Sequence, residues 1–119
     1  LALVRRIFLP DVVGNYIARL VDATHPGQSS AARGIRYGAS PRAALSLASA
    51  AKARALMNER TNASFEDVRF VAPAVLRHRV VLEYNARVEG LTQNDVVRSI
   101  LEEVPAHSGA TPKTLNPTA

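Results

Sequence analysis

The residues best suited to chemistry are Ser40, Pro41 and Arg42. Their order predicts the start of a helix, with the Ser40 hydroxyl capping a free backbone N–H and Pro41 at the first helical position. Arg42 then lies in the first turn, where the positive end of the helix dipole disfavours a cation. An arginine and a helix N-terminus together attract an anion such as phosphate. Taken locally, the pattern still favours an ordinary solvated arginine over a phosphate contact.

The rest of the sequence shows no recognisable catalytic or metal-binding group. His25, His78 and His107 are far apart and lack the spacing of metal ligands on one helical face, so we predict no metal site. Glu102 and Glu103 are consecutive and point in different directions on a helix. No Gly-x-x-x-x-Gly-Lys-Ser/Thr phosphate loop and no glycine-rich dinucleotide fingerprint is visible. We therefore expect that the chain alone does not hydrolyse a nucleotide.

Composition suits one domain with a modest core. The 119 residues include 15 basic and 10 acidic ones, a net charge of +5, but the basic residues are scattered and the only aromatics are three tyrosines and three phenylalanines. This pattern does not favour nucleic acid as a partner. Cysteine is absent, which excludes disulfides and agrees with a reducing compartment. Because neither a membrane-spanning run nor a signal peptide is visible, we expect a cytoplasmic protein without a membrane partner.

Hydrophobic spacing predicts a first helix that begins at Pro10 and ends at residues 24–27. Its apolar face repeats at helical intervals through Val13, Tyr16, Ile17, Leu20 and Val21. Segment 28–37 is polar and contains Arg33 and Arg36. A loop that contacts a ligand and a mobile connector are equally compatible with it.

The central helix follows and is rich in strong helix formers. Its small-residue face, which would let another helix approach closely, comprises Ala44, Leu47, Ala48, Ala51 and Ala55. Capping-box patterns at residues 64–67 and 92–95 predict two more helices. Pro73 should kink or restart the first of these, and Pro105 should end the second.

Between these two helices, residues 79–89 alternate between apolar and polar side chains. Such alternation predicts a half-buried strand, although a helix over the same residues stays open. The preceding Arg77, His78 and Arg79 lie near a helix C-terminus, where cations complement the dipole. A second anion contact there is the less favoured interpretation.

Four blocks in order, at residues 36–43, 64–68, 72–79 and 95–101, resemble the C-terminal lid of MoxR-type AAA+ ATPases. The resemblance extends from about residue 10 to about residue 105. It implies a mainly α fold, a small four-helix AAA+ lid-type bundle with one or two short β segments. Residues 1–9 would be a linker or short strand from a preceding ATPase core, 10–105 the lid, and 106–119 a disordered tail. The chain begins at Leu1 rather than at methionine, which also suggests a piece of a longer protein.

The resemblance also implies a function. Arg42 matches the sensor-two arginine, which reaches the γ-phosphate of ATP held with Mg by the preceding core, and Ser40 and Pro41 flank that position. Implied partners are the ATPase core of the same chain, neighbouring subunits of a ring oligomer, and proteins that carry von Willebrand factor A domains in chaperone-like remodelling. The chain lacks the Walker A and B elements, so we expect no ATP tightly bound to it.

The rival interpretation is a stand-alone basic helical domain that binds nucleic acid or acts as an adaptor. It is motivated by the net charge of +5 and by Arg33 and Arg36. The scattered distribution of the other basic residues argues against it.

Overall fold

Over residues 2–106, which the computed structural model describes, the chain forms six α-helices and a two-stranded sheet. The helices are α1 (Ala2–Arg5), α2 (Asp11–Ala23), α3 (Arg42–Met57), α4 (Phe65–Leu76), α5 (Tyr84–Val88) and α6 (Gln93–Glu103). A 3-10 helix (Ser30–Gly34) leads into β1 (Ile35–Tyr37), which pairs antiparallel with β2 (Val81–Leu82). This confirms the predicted mainly α fold with short β segments. The predicted disordered tail lies, from residue 107 onward, outside the described residues.

Helices α2, α3, α4 and α6 enclose the core. All five residues of the predicted α2 face are buried, and Tyr16 at its centre meets Phe65 edge-to-face with ring centroids 5.6 Å apart. On the predicted α3 face, Leu47, Ala51 and Ala55 are fully buried and Ala44 and Ala48 are half-buried. The small side chains let α4 pack along α3, the most extensive helix pair in the domain. Within residues 2–106, no helix has the length and apolar character needed to cross a membrane.

Both predicted capping boxes are formed, one at the start of α4 and one at the start of α6. Pro73 does not restart a helix, because α4 runs without interruption from Phe65 to Leu76. Val68, Ala72 and Leu76 are buried on one side of α4 both before and after the proline. Both halves of α4 therefore pack against the core.

The strand predicted over residues 79–89 is mostly wrong. Val80 and Leu82 are buried as the alternation requires, but β2 contains only Val81 and Leu82. The chain then forms α5, in which Tyr84 and Val88 are exposed rather than buried. The alternation fails after Leu82 because β1, the partner strand, offers only three residues for pairing. The helical alternative left open for this segment describes its second half.

Two other segments are more ordered than expected. Residues 2–5 form α1 within the segment predicted to be a linker or a short strand, and Phe8 forms an isolated parallel bridge to Asn62. Segment 28–37 is largely the 3-10 helix and β1. The Glu103 carboxylate at the end of α6 holds that 3-10 helix, since it accepts hydrogen bonds from the Ser30 hydroxyl (2.7 Å) and the Ala31 N–H (2.9 Å).

A buried carboxylate joins α3 to α4. Asp67 is fully buried and accepts hydrogen bonds from Arg54 (2.7 Å), from both terminal nitrogens of Arg60 (2.7 and 2.6 Å) and from the Ser64 N–H (2.8 Å). The Arg60 guanidinium holds the pKa of Asp67 well below its usual range, although burial alone would raise it. The same pairing raises the pKa of Arg60. Asp67 is therefore both the capping-box residue of α4 and an electrostatic link to α3.

Replacing this carboxylate should destabilise the domain. Asp67→Asn is expected to lower the free energy of unfolding at pH 7 by about 2 kcal/mol, because charge-assisted hydrogen bonds to two arginines are lost. Urea denaturation measures the change. Asp95→Asn is the matched control, since Asp95 has the same capping-box position in α6 but lies 3.7 Å from its nearest arginine. An equal loss in both variants would contradict a special role for the arginine pairs.

The lowered pKa of Asp67 predicts that the free energy of unfolding decreases as the solution becomes acidic. Because the pKa of Asp67 is lower in the folded state, its contribution is complete above the unfolded pKa of about 4 and is lost as the pH falls below it. Wild-type stability should therefore fall progressively as the pH decreases from about 5 toward the much lower folded-state pKa of Asp67, and Asp67→Asn should reduce that slope. Asp95 and Glu103, whose pKa values are also lowered, should leave a smaller residual slope.

Candidate phosphate-contact site

The segment that leads to Arg42 lies directly against the end of α2. A Cβ atom on Gly38 would stand 2.7 Å from the Thr24 carbonyl oxygen and 2.9 Å from the His25 Cα. Both atoms belong to the backbone and cannot rotate away. Glycine at position 38 therefore permits a close approach that a side chain would prevent.

The Thr24 hydroxyl stabilises the contact between this segment and the end of α2. Thr24 is fully buried, and its Oγ1 donates to the Val21 carbonyl (2.6 Å) and accepts from the Ala39 N–H (2.9 Å). One hydroxyl thus satisfies a carbonyl of the last turn of α2 and a buried N–H of the following segment. The sequence identified Thr24 only as part of a helix stop. Its bridging role could not be read from local pattern, because Ala39 is 15 residues away.

The start of α3 differs from the predicted cap. The helix begins at Arg42, Pro41 precedes it with helical torsion angles, and no side-chain capping bond is made there, so the predicted Ser40 hydroxyl cap is wrong. The Ser40 carbonyl instead accepts from the Ala43 N–H (2.9 Å), and the Pro41 carbonyl accepts from the Ala44 N–H (3.0 Å). Since Pro41 already extends the helical turn, backbone carbonyls close it without the hydroxyl.

Arg42 is left free by this arrangement. Its side chain is exposed and makes no hydrogen bond or ion pair with any described residue. The first turn of α3 contains no acidic residue. Nearby in sequence, the Arg36 guanidinium lies 5.3 Å from the centre of the exposed Tyr37 ring. The site thus presents an exposed guanidinium at the positive end of a helix dipole, which is a suitable environment for a phosphate oxygen.

Several other arginines form hydrogen bonds within the domain. Arg19 donates to the carbonyls of Pro105 and Ala106, and Arg69 donates to the Tyr16 hydroxyl and the Leu101 carbonyl. Like the two arginines that bind Asp67, these side chains make hydrogen bonds to other residues of the domain. The net positive charge therefore gives little support to a nucleic-acid surface.

Arg79 donates to the Val75 carbonyl (2.9 Å) near the end of α4 and to the Ser46 hydroxyl (3.1 Å). The first contact is the one expected of a cation at a helix C-terminus. For Arg79, this contact agrees with the favoured interpretation of the basic cluster at residues 77–79. The second contact adds a link between α4 and α3.

Comparison with protein-family models finds a match to the AAA lid domain over residues 27–100, more than half of the chain. This chain belongs to the AAA lid domain family. The match includes Gly38 and Arg42, whereas Thr24 lies just before it.

The lid is similar to MoxR proteins. It is 35% identical over 101 residues to chaperone MoxR1 of Mycobacterium tuberculosis, covering 82% of this chain and 27% of MoxR1. It is 32% identical over 101 residues to protein YeaC of Bacillus subtilis, covering 85% of this chain and 30% of YeaC. The crystal structure of a candidate ATPase from Cytophaga hutchinsonii matches 87% of this chain and 33% of its own, with a TM-score of 0.82 at 35% identity. The prediction of a MoxR-type AAA+ lid is confirmed.

The chain spans less than a third of the length of the two protein relatives. What it shares with them is therefore the lid.

The Thr24 hydroxyl is expected to fix the segment before Arg42. Thr24→Val should leave the buried Ala39 N–H without an acceptor and lower the free energy of unfolding by about 1 to 2 kcal/mol. It should also speed hydrogen exchange at the Ala39 amide, measured by NMR. Thr24→Ser keeps the hydroxyl and should restore slow exchange. Equal exchange in wild type and Thr24→Val would refute the bridge.

Gly38→Ala tests the close approach separately. The added methyl would press on the backbone at Thr24 and should cost about 1 to 3 kcal/mol in urea denaturation, as overpacking typically does. Gly27→Ser changes a glycine with open space around the Cβ position, although its φ of +85° adds backbone strain. A smaller loss for Gly38→Ala than for Gly27→Ser would show that the contact is not restrictive.

Proposed function

We propose that this lid supplies Arg42 to an ATP site whose remaining groups belong to an ATPase core in the same protein. The observation that carries the proposal is the free guanidinium at the start of α3. It is exposed, has no partner among the described residues, and stands on a turn fastened to α2. A structural arginine would resemble Arg54 or Arg69, which are both engaged.

The chemical role proposed for Arg42 is electrostatic. A guanidinium can donate two parallel hydrogen bonds to phosphate oxygens and stabilise the negative charge that accumulates on them during phosphoryl transfer. Ser40 and Pro41 would lie beside the nucleotide and shape the approach through their backbone. A nucleotide bound with Mg in the core would supply the phosphoryl group and the metal. Among residues 2–106, no cluster of three or more His, Asp or Glu side chains could hold a metal ion.

The same contact would couple the nucleotide state to movement of the lid. If Arg42 binds the terminal phosphate and releases it after hydrolysis, the lid changes its position relative to the core. Such movement within a ring oligomer is the step by which we propose that the whole protein remodels other proteins. The name of the MoxR1 relative, a chaperone, supports this extension. Partners with von Willebrand factor A domains remain part of the proposal.

Arg42→Ala in the full-length protein tests the site. We expect kcat for ATP hydrolysis to fall at least tenfold, because a donor to the transferred phosphate is lost. Arg42→Lys should recover only part of the rate, since an ammonium cannot donate in the bidentate geometry. Steady-state hydrolysis assays measure both variants.

The matched control is Arg98→Ala, which removes an exposed arginine from α6, outside the Arg42 site. Its turnover should equal that of the wild type. Unchanged kcat and ATP affinity in Arg42→Ala would refute the proposed role.

The lid alone should bind ATP with a Kd of about 1 mM or weaker, because one exposed arginine and a helix end offer only a few hydrogen bonds. Isothermal titration calorimetry of the 119-residue chain gives the affinity. Stoichiometric micromolar binding would show that the lid holds a complete nucleotide site, contrary to the proposal.

A further inference from the structure

A groove of about 990 Å³ lies between α5, α6 and the 3-10 helix. None of residues 38–42 lines it, so it is separate from the Arg42 site. Its size is at the upper end of the range that ligand sites in proteins occupy.

The helix on one side of the groove is largely exposed. No residue of α5 is buried, and Tyr84 and Val88 are 74% and 66% exposed. Residues on both sides of the helix nevertheless contact Gly34 at the end of the 3-10 helix. The Glu83 N–H donates to the Gly34 carbonyl (2.8 Å), and a Cβ on Gly34 would come within 2.6 Å of the Leu91 side chain. Tyrosine is enriched at protein–protein interfaces, and Tyr84 is exposed in the lining of the groove.

The charge of the groove is opposite to that of the chain. Its lining contains four of the ten acidic residues and one of the fifteen basic ones, although the net charge is +5. Two of these carboxylates already have partners, since Glu103 binds the 3-10 helix and Asp95 caps α6. Glu83 and Glu89 make no hydrogen bond or ion pair with a described residue through their side chains. The single lining cation is Arg33.

We infer that this groove docks an arginine-bearing extended segment of a partner protein, through Glu83, Glu89 and the exposed Tyr84. The charge selects a basic partner. Tyr84 favours arginine over lysine, because a guanidinium can stack on a tyrosine ring while it pairs with a neighbouring carboxylate. Glu83 and Glu89 lie at the two ends of α5, about 9 Å apart along the helix axis at 1.5 Å per residue. An extended chain advances about 3.3 Å per residue, so arginines three positions apart match that spacing.

Fluorescence anisotropy with labelled peptides tests this docking on the 119-residue chain at low salt. The probe contains the sequence Arg-Gly-Ser-Arg, and two comparison peptides replace both arginines by lysine or by glutamate. We expect saturable binding of the arginine peptide, weaker binding of the lysine peptide and none of the glutamate peptide. Affinity for the arginine peptide should decrease as salt is added, because exposed ion pairs are screened.

The double variant Glu83→Gln with Glu89→Gln should weaken binding of the arginine peptide about tenfold, the effect of losing two exposed ion pairs. Tyr84→Ala should reduce the preference for arginine over lysine. The control is Glu59→Gln with Glu102→Gln, which removes the same charge at exposed positions outside the groove. Circular dichroism confirms that each variant is folded.

Three results would overturn the inference. The first is equal affinity of the two double variants for the arginine peptide. The second is failure of the wild type to reach saturation at millimolar peptide. The third is self-association of the wild type in analytical ultracentrifugation that the Glu83→Gln, Glu89→Gln variant abolishes, which would assign the groove to a second copy of the chain.

Discussion

The alanine-lined face of α3 is the constraint on which the rest of the domain depends, because α1, α2 and α4 all pack against this helix. Fully buried Ala43, Ala51 and Ala55 keep the neighbouring backbones close. A larger side chain at any of these positions would push a neighbouring helix outward, since protein interiors are packed without spare volume. Arg42 begins the same helix, so the element that organises the core also determines where its free guanidinium stands.

The sequence correctly predicted the elements whose signals lie within a few neighbouring residues. The α2 face from Val13 to Val21 and the capping boxes at Ser64 and Thr92 are each specified by residues within two helical turns. The strand at residues 79–89 was predicted too long because its extent depends on the length of β1, more than 40 positions earlier. Sequence periodicity contains no information on that pairing.

In the candidate site too, some residues could be identified from local sequence and others only from the structure. Arg42 was noticeable because a cation at a helix N-terminus is locally unfavourable, and the family resemblance supplied a reason for it. Thr24 and Gly38, which hold the segment in place, could be found only from three-dimensional contacts. The expected Ser40 hydroxyl cap failed because Pro41 already adopts helical torsion angles and the backbone closes the turn.

The fastening of residues 38–42 to the end of α2 has a mechanical consequence. Helix α3 is 16 residues long, about 24 Å, and starts at the point where the Thr24 hydroxyl and the close approach of Gly38 join two helices. The segment just before Arg42 is therefore held against the end of α2 by specific contacts. A displacement of the first turn of α3 would also displace the end of α2, because the Thr24 hydroxyl and the Gly38 backbone join the two.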